Sequence, residues 1–436
     1  MPQPENRSQL PPTSTTAPPP APPLAEAERR RGRRLAISSH PLGMTFFMVF
    51  TQHLPTLALV SLGASETIVG IQSALHATEL LQLPTLRAVA RVSKRSILVF
   101  GQTVALVVAV PLLFFDALAH LSANQSSAGA WIALLSLALA TASINVSNTV
   151  WFPMLRSYVE PTRIGRFFGV LRSGWHLALI FYYLGAQYWL AGHPGDYGPL
   201  FTVAWLCGLL RVFMIWRLPE RSERTGERIR VREAVALVRT NPLLRRYLIG
   251  VTWGTAVRMS VVPFVMVMMR REVGFSSAHV LFTTVASFAG GLASLYLWGR
   301  VVDRIGPAPV FRLTALGMGL LTAGLVAVQD AGTAALVGLI AFFFLYTVLA
   351  SGFGVADTHV LFALTPPEAP ARMLVIAAVV RHSFSGLAPI LSGIALDRLL
   401  ETAEAPLGVY HVFFAILAVS QALCFLPLRG FRRVTA

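Results

Sequence analysis

Stretches of about twenty apolar residues recur along the chain from position 41 almost to its end. A helix needs ~20 such residues, at ~1.5 Å of rise each, to cross a ~30 Å hydrocarbon core. So many segments of that length leave one fold class, an all-α polytopic membrane protein. The pattern predicts helices near 41–63, 66–88, 96–115, 130–155, 165–191, 198–217, 246–269, 276–300, 308–328, 333–362, 371–397 and 408–428. These are about twelve transmembrane spans, numbered 1 to 12 in chain order. Composition agrees: of 436 residues 55% are hydrophobic and 13% charged, with a mean hydropathy of +0.62, outside the usual balance of water-soluble domains.

A formal charge of +16 and a pI near 11.1 would suit a nucleic-acid binder, so the placement of the basic residues decides. They fall in alternate loops. Arg29, Arg30, Arg31, Arg33 and Arg34 precede span 1, Arg87, Arg91, Lys94 and Arg95 separate spans 2 and 3, and a dense run from Arg217 to Arg246 separates spans 6 and 7. Arg300, Arg304 and Arg312, then Arg372, then Arg429, Arg432 and Arg433 continue the same side. The opposite loops carry Glu66, Asp116, Asp196, Asp330, Glu401 and Glu404, with Arg270, Arg271 and Arg398 as exceptions. By the positive-inside rule both termini are cytoplasmic, and anionic lipid head groups account for the basic excess without nucleic acid. Cys207 and Cys424 lie inside apolar spans and read as small packing residues. The Pro-, Ser- and Thr-rich stretch from Pro2 to Leu24 reads as a disordered tail. No small-residue cleavage pattern follows a short apolar core, so span 1 is expected to be retained.

The polar run from Pro219 to Arg246 divides the spans into two sets of six. The predicted organisation is a Pro-rich then Arg-rich tail over 1–39, a six-helix bundle over 40–217, a cytoplasmic linker over 218–245, a second bundle over 246–428 and a tail over 429–436. The halves echo each other in order: Pro161 and Arg166 before span 5 correspond to Pro367 and Arg372 before span 11, and His176 corresponds to His382 at the same offset. Such a repeat supports two pseudo-symmetric bundles.

Between spans 8 and 9 stands Gly299-Arg300-Val301-Val302-Asp303-Arg304-Ile305-Gly306. It resembles the G-x-x-x-D-R-x-G loop signature of the major facilitator superfamily. The segment from Arg163 to Gly169 is similar to the cytoplasmic mouth of span 5 in many bacterial members. The resemblance covers 40–430 and implies a secondary transporter rather than an enzyme, a monomer of a bacterial inner membrane working by alternating access. It implies that spans 1, 4, 7 and 10 line a central cavity while 2, 5, 8 and 11 pack between the halves. It places Asp303 and Arg304 in a cytoplasmic gate opposite Arg163 and Arg166. The first-half copy of the motif departs from the pattern, with Ala90 at the aspartate position and Ser93 at the later glycine. Gly386, Pro389 and Gly393 match the span 5 pattern of drug–proton antiporters only loosely, and Leu218-Pro219-Glu220-Arg221 is too little to imply a sugar.

Ionisable groups at bilayer depth cost at least ~2.5–3.5 kcal/mol and are functional candidates by default. Arg258 lies ~18 Å into span 7 and Arg381 ~15 Å into span 11, both near the midplane. Arg172 lies ~11 Å into span 5, and Arg211, about one and a half turns from the end of span 6, is expected to snorkel. The acidic candidates are Glu79 and Asp357. Glu79 shares a face with His76, and Arg172 with His176. His53, Asn145 and Asn148 add polar groups on spans that the resemblance assigns to the cavity. Substrate contacts are therefore expected from Arg258, His53, Asn145, Asn148, Arg172, His176 and His382, and gating or coupling, with a proton as coupling ion, from Glu79, Arg381, Asp357, Asp303, Arg304, Arg163 and Arg166. The same reading pairs Glu79 with Arg381 and leaves Arg258 for the anionic group of a small anionic or zwitterionic solute.

No phosphate-binding loop, H-E-x-x-H or cysteine–histidine metal spacing occurs in the sequence, so neither a catalytic centre nor a cofactor is expected. The alternatives are a facilitator-fold sensor that binds without flux and a membrane-embedded lipid-handling protein, which would need carboxylate or histidine clusters at the interface. The topology has a direct check. A cysteine replacing Ser222, in the linker, is expected to resist a membrane-impermeant thiol reagent in intact cells, and ready labelling from outside would reject the orientation.

Overall fold

The computed structural model describes residues 24–89, 92–123, 127–159, 164–220, 238–365 and 370–431. Arg163 and most of the linker lie outside them. The described chain is built from helices: α1 (Glu26–Thr51), α2 (His53–Ser61), α3 (Glu66–Ala74), α4 (Gln82–Val89), α5 (Lys94–Val108), α6 (Phe115–Ala123), α7 (Ala128–Arg156), α8 (Ile164–Gly192) and α9 (Gly198–Trp216). After the linker come α10 (Pro242–Arg271), α11 (Ser277–Ile305), α12 (Pro307–Gly324), α13 (Thr333–Ala363), α14 (Pro370–Ser385), α15 (Leu387–Leu400) and α16 (Pro406–Leu423). Among the described residues nine helices are long and apolar enough to cross a membrane, or ten if the bent α11 counts as one span.

Local chemistry sets the ends. The hydroxyls of Ser65, Ser93 and Ser276 accept from the first-turn amides of α3, α5 and α11, and the Asn241 side chain accepts from Leu243 and Leu244 at the start of α10. Prolines stand in the first turns of α9, α10, α12 and α16, where a missing N–H costs no hydrogen bond. Gly306, the last residue of the loop motif, has φ 79° and turns the chain from α11 into α12, a left-handed conformation that glycine adopts without steric cost. The helix ahead of span 1 begins at Glu26, fifteen residues before the apolar pattern, so the Arg-rich part of the expected tail is helical. Arg30 bonds to Glu26 one turn back at 2.9 Å, and Gly32 seats the Tyr158 ring against the helix.

Several spans are not continuous α-helix. Span 1 breaks at Gln52, span 2 passes through a 3₁₀ segment (Leu75–Leu81), and span 11 breaks at Gly386 between α14 and α15. A mid-span 3₁₀ segment such as that in span 2 often marks a hinge.

Arg211 corrects the sequence expectation. It does not snorkel: its side chain is only 3% exposed, the guanidinium lies 5.0 Å from the centre of the Trp151 ring, and Gly43 on α1 leaves the room it occupies. The short distance between α1 and α9 buries it before it reaches the helix end.

Helices from before and after the linker meet along two seams, α3 with α15 and α8 with α11, while the 3₁₀ segment packs on α14. The first seam is close because glycines face carbonyls: a Cβ on Gly70 would collide with the Pro389 carbonyl oxygen, and one on Gly393 with that of Glu66. Along the second seam the Tyr183 ring stacks on Phe288 at 5.5 Å, and His176 lies against Gly291. Gly393→Val is therefore expected to force α3 and α15 apart, at an overpacking cost of ~1–3 kcal/mol. Gly185→Val, at an exposed position with open space around it, serves as the control. Accessibility of a cysteine at Ser65 to an impermeant reagent should rise in the first variant only.

Candidate functional site

The groups at mid-depth converge on one place where α10, α13, α14 and the 3₁₀ segment of span 2 come together. In a 3₁₀ helix residues three apart eclipse, so His76 and Glu79 stand in line. On α14, Arg381 and His382 are consecutive and point about 100° apart. That divergence overturns the expected Glu79–Arg381 pair. Arg381 turns towards α13, where its Nη1 lies 2.5 Å from Asp357 Oδ2. His382 turns to the 3₁₀ segment, where its Nδ1 lies 2.5 Å from Glu79 Oε2. The other oxygen of Asp357 accepts a hydrogen bond from the Tyr247 hydroxyl of α10. Asn145 reaches the same neighbourhood from α7, donating to the Thr78 hydroxyl at 2.9 Å.

Arg258 has no ion pair or hydrogen bond among the described residues, although Asp357, Arg381, Tyr346 and Cys424 are its electrostatic neighbours. Asp357 is already engaged by Arg381 and Tyr247. Beside Arg258, the Tyr346 hydroxyl and the Arg381 Nε are buried without a hydrogen-bond partner among the described residues. Two carboxylates, Glu79 and Asp357, thus face two arginines and two histidines. Among the described residues, Arg258, the Tyr346 hydroxyl and Arg381 Nε are left able to donate.

The remaining candidates lie elsewhere. His53 Nδ1 is 3.1 Å from the Thr284 hydroxyl of α11, and His176 Nδ1 is 2.8 Å from the carbonyl oxygen of Arg172 within α8. The Arg172 side chain is exposed, and Asn148 is half-buried with no hydrogen bond among the described residues. Asp303, Arg304 and Arg166 are exposed at the opposite end of the seams and carry no ion pair among the described residues.

A second cluster, at the Glu66 end, was not singled out by the sequence. Glu66 is 5% exposed, its Oε1 lies 2.5 Å from Arg271 Nη1 of α10, and the Tyr410 hydroxyl donates to it at 2.9 Å. Arg271 also donates to the Ala64 carbonyl oxygen. Asp397 of α15 accepts from the backbone amides of Glu66 and Thr67 at 2.9 Å each, an anion at the N-terminus of α3. The signal was present: Arg271 stood out as a cation on the acidic side, and such an exception needs a carboxylate nearby. Ser73, between Glu66 and Glu79 in the chain, donates across to the Met259 carbonyl oxygen of α10, and Tyr197 donates to Ser277 at the start of α11.

The family follows from the comparisons. The Major Facilitator Superfamily sequence model matches residues 35–389, and the chain belongs to that superfamily. It is thus a secondary transporter that moves small solutes by alternating access, not an enzyme. Among solved structures it is similar to a D-xylose–proton symporter, with a TM-score of 0.69 and 13% identity over 93% of this chain and 98% of that one. It is similar to the nucleoside transporter NupG, with a TM-score of 0.66 and 14% identity over 92% and 98%. A bacterial homologue of the human lysosomal transporter Spinster, inward-facing and unoccupied, has a TM-score of 0.64 and 15% identity over 93% and 98%. No curated protein sequence matches the chain.

The Asp357–Arg381 pair yields a prediction of its own. Asp357→Ala strands the half-buried Arg381 and is expected to destabilise by up to ~3–5 kcal/mol, whereas Asp357→Leu/Arg381→Met should recover most of that loss. Thermal midpoints of the purified variants in detergent test this, and a double variant no more stable than the single one would reject the pairing.

Proposed function

We propose that the chain carries twelve spans in two six-helix bundles, over 40–217 and 246–428, with both termini and the linker cytoplasmic, and that it moves a small anionic or zwitterionic solute as a monomer in a bacterial inner membrane. The observation that carries the substrate class is Arg258, a guanidinium without an ion pair among the described residues, beside the unpartnered donors of Tyr346 and Arg381. A half-buried cation without an ion pair of its own is costly, and an anionic group arriving between these donors removes that cost. The conformation is read as inward-facing. The Glu66–Arg271–Tyr410–Asp397 cluster seals the extracellular end, and the motif residues Asp303 and Arg304 are exposed and disengaged from Arg166 at the cytoplasmic end. On this reading the Glu79–His382 pair takes up or releases the coupling proton.

The test is counterflow of labelled carboxylates, phosphates and amino acids in liposomes holding the purified protein. Arg258→Gln should stay folded and lose binding of the accepted solute, and Glu79→Gln should keep binding while losing response to a pH gradient. Unchanged affinity in Arg258→Gln would remove the anionic-substrate reading. Saturable binding with no flux would favour a sensor, and product formation a lipid-handling protein.

A further inference from the structure

Two grooves on the outside of the molecule meet at Arg217, far from the mid-depth site. The first runs along α9, about 610 Å³ in volume, lined by Leu206, Leu210, Phe213 and Trp216 with Val99 of α5 beside them. These α9 positions fall on one helical face and extend ~15 Å along the axis, half of a ~30 Å hydrocarbon core and so the depth of one leaflet. The second, about 780 Å³, lies at the end of that groove between α1 and the end of α9, and Arg30, Arg31, Arg34 and Arg217 line it. Arg217 joins the two, its guanidinium 3.9 Å from the centre of the Phe213 ring. The acidic residue lining the second groove, Glu26, is already bonded to Arg30 at 2.9 Å and lies 3.8 Å from Arg29. That leaves Arg31, Arg34 and Arg217 without an ion pair among the described residues.

We propose that these two grooves form one binding site for an anionic phospholipid, its phosphate among Arg31, Arg34 and Arg217 and one acyl chain along Leu206, Leu210 and Phe213. Lipid-facing apolar surface is present all round a membrane protein. What distinguishes this place is that a leaflet-deep groove ends in a pocket of unpaired guanidinium groups, the charge complement of a phosphodiester. Trp216, at the junction, suits the head-group level. The site uses only the shared membrane face of the α1 start and the α9 end, so it stands for either orientation of the protein and for any transported solute.

The experiment measures lipid retention by mass spectrometry of the intact full-length protein, together with its thermal midpoint in detergent. The probes are phosphatidylglycerol, phosphatidylcholine with the same chains, and glycerol 1-phosphate. The expected result is one phosphatidylglycerol held more tightly than phosphatidylcholine, with no stabilisation by glycerol 1-phosphate. An arginine near an anionic surface contributes about a five-fold factor, so Arg31→Gln/Arg34→Gln/Arg217→Gln should weaken retention about a hundred-fold. Leu210→Trp, which fills the groove at a half-exposed position, should weaken it with the arginines intact. Arg239→Gln/Arg245→Gln/Arg246→Gln, at exposed positions away from the grooves, should leave it unchanged. The proposal is overturned if that control loses as much as the site variant, which would mean attraction by net charge alone. Equal retention of phosphatidylcholine would also overturn it, as would stabilisation by glycerol 1-phosphate alone, which would indicate a phosphate site without a lipid.

Discussion

Everything at mid-depth in this protein follows from the cost of an unpaired charge away from water. A carboxylate or guanidinium in that setting loses its hydration and has to recover it from a partner. Asp357 does so twice over, from Arg381 and from Tyr247, and Glu79 does so from His382. These pairs tie α10, α13 and α14 together and fasten the 3₁₀ segment of span 2 to α14. Arg258 stands outside that matching, which makes it the group whose energy changes most when an anion arrives.

The same requirement operates at the Glu66 end with different partners. There one buried carboxylate holds an arginine of α10 and a tyrosine of α16, while Asp397 of α15 takes the free amides at the start of α3. The two levels are linked through the chain itself. Between Glu66 and Glu79 the helix becomes 3₁₀, and between His382 and Asp397 it breaks at Gly386. The first of these segments is weakened by its 3₁₀ turn and the second by Pro389, which offers no N–H to the Ser385 carbonyl, so a change at Glu79–His382 has a short route to the Glu66 cluster. Rigid helices would hold both levels in one fixed relation.

The glycines explain how helices remote in sequence come close enough for these bonds. Gly70 and Gly393 bring α3 and α15 into backbone contact, and the carbonyls they face belong to Pro389 and Glu66. With side chains at those positions the helix axes would stand further apart, and Asp397 would not reach the α3 amides. Two arginines near the C-terminal end of α9 show the opposite use of space: Arg211 is enclosed by Gly43 and Trp151, whereas Arg217 is left on the outer surface against Phe213.

What the sequence determined by itself was whatever depends on short stretches of chain. Apolar run length located the helices to within about five residues, apart from the early start of α1 at Glu26 and the continuation of span 3 through Ala123, because a spanning helix satisfies its own backbone and needs no partner to be recognised. Cost alone marked Arg258, Arg381, Glu79 and Asp357 as residues needing a reason. Only the tertiary structure decided which charge meets which. A turn of about 100° between Arg381 and His382 sends one to Asp357 and the other to Glu79, and no spacing rule within one helix reveals what stands opposite each face. Glu66, Arg271, Asp397 and Tyr410 come from four distant segments; the sign of Arg271 set it apart on its side of the membrane, but packing alone makes the four one cluster.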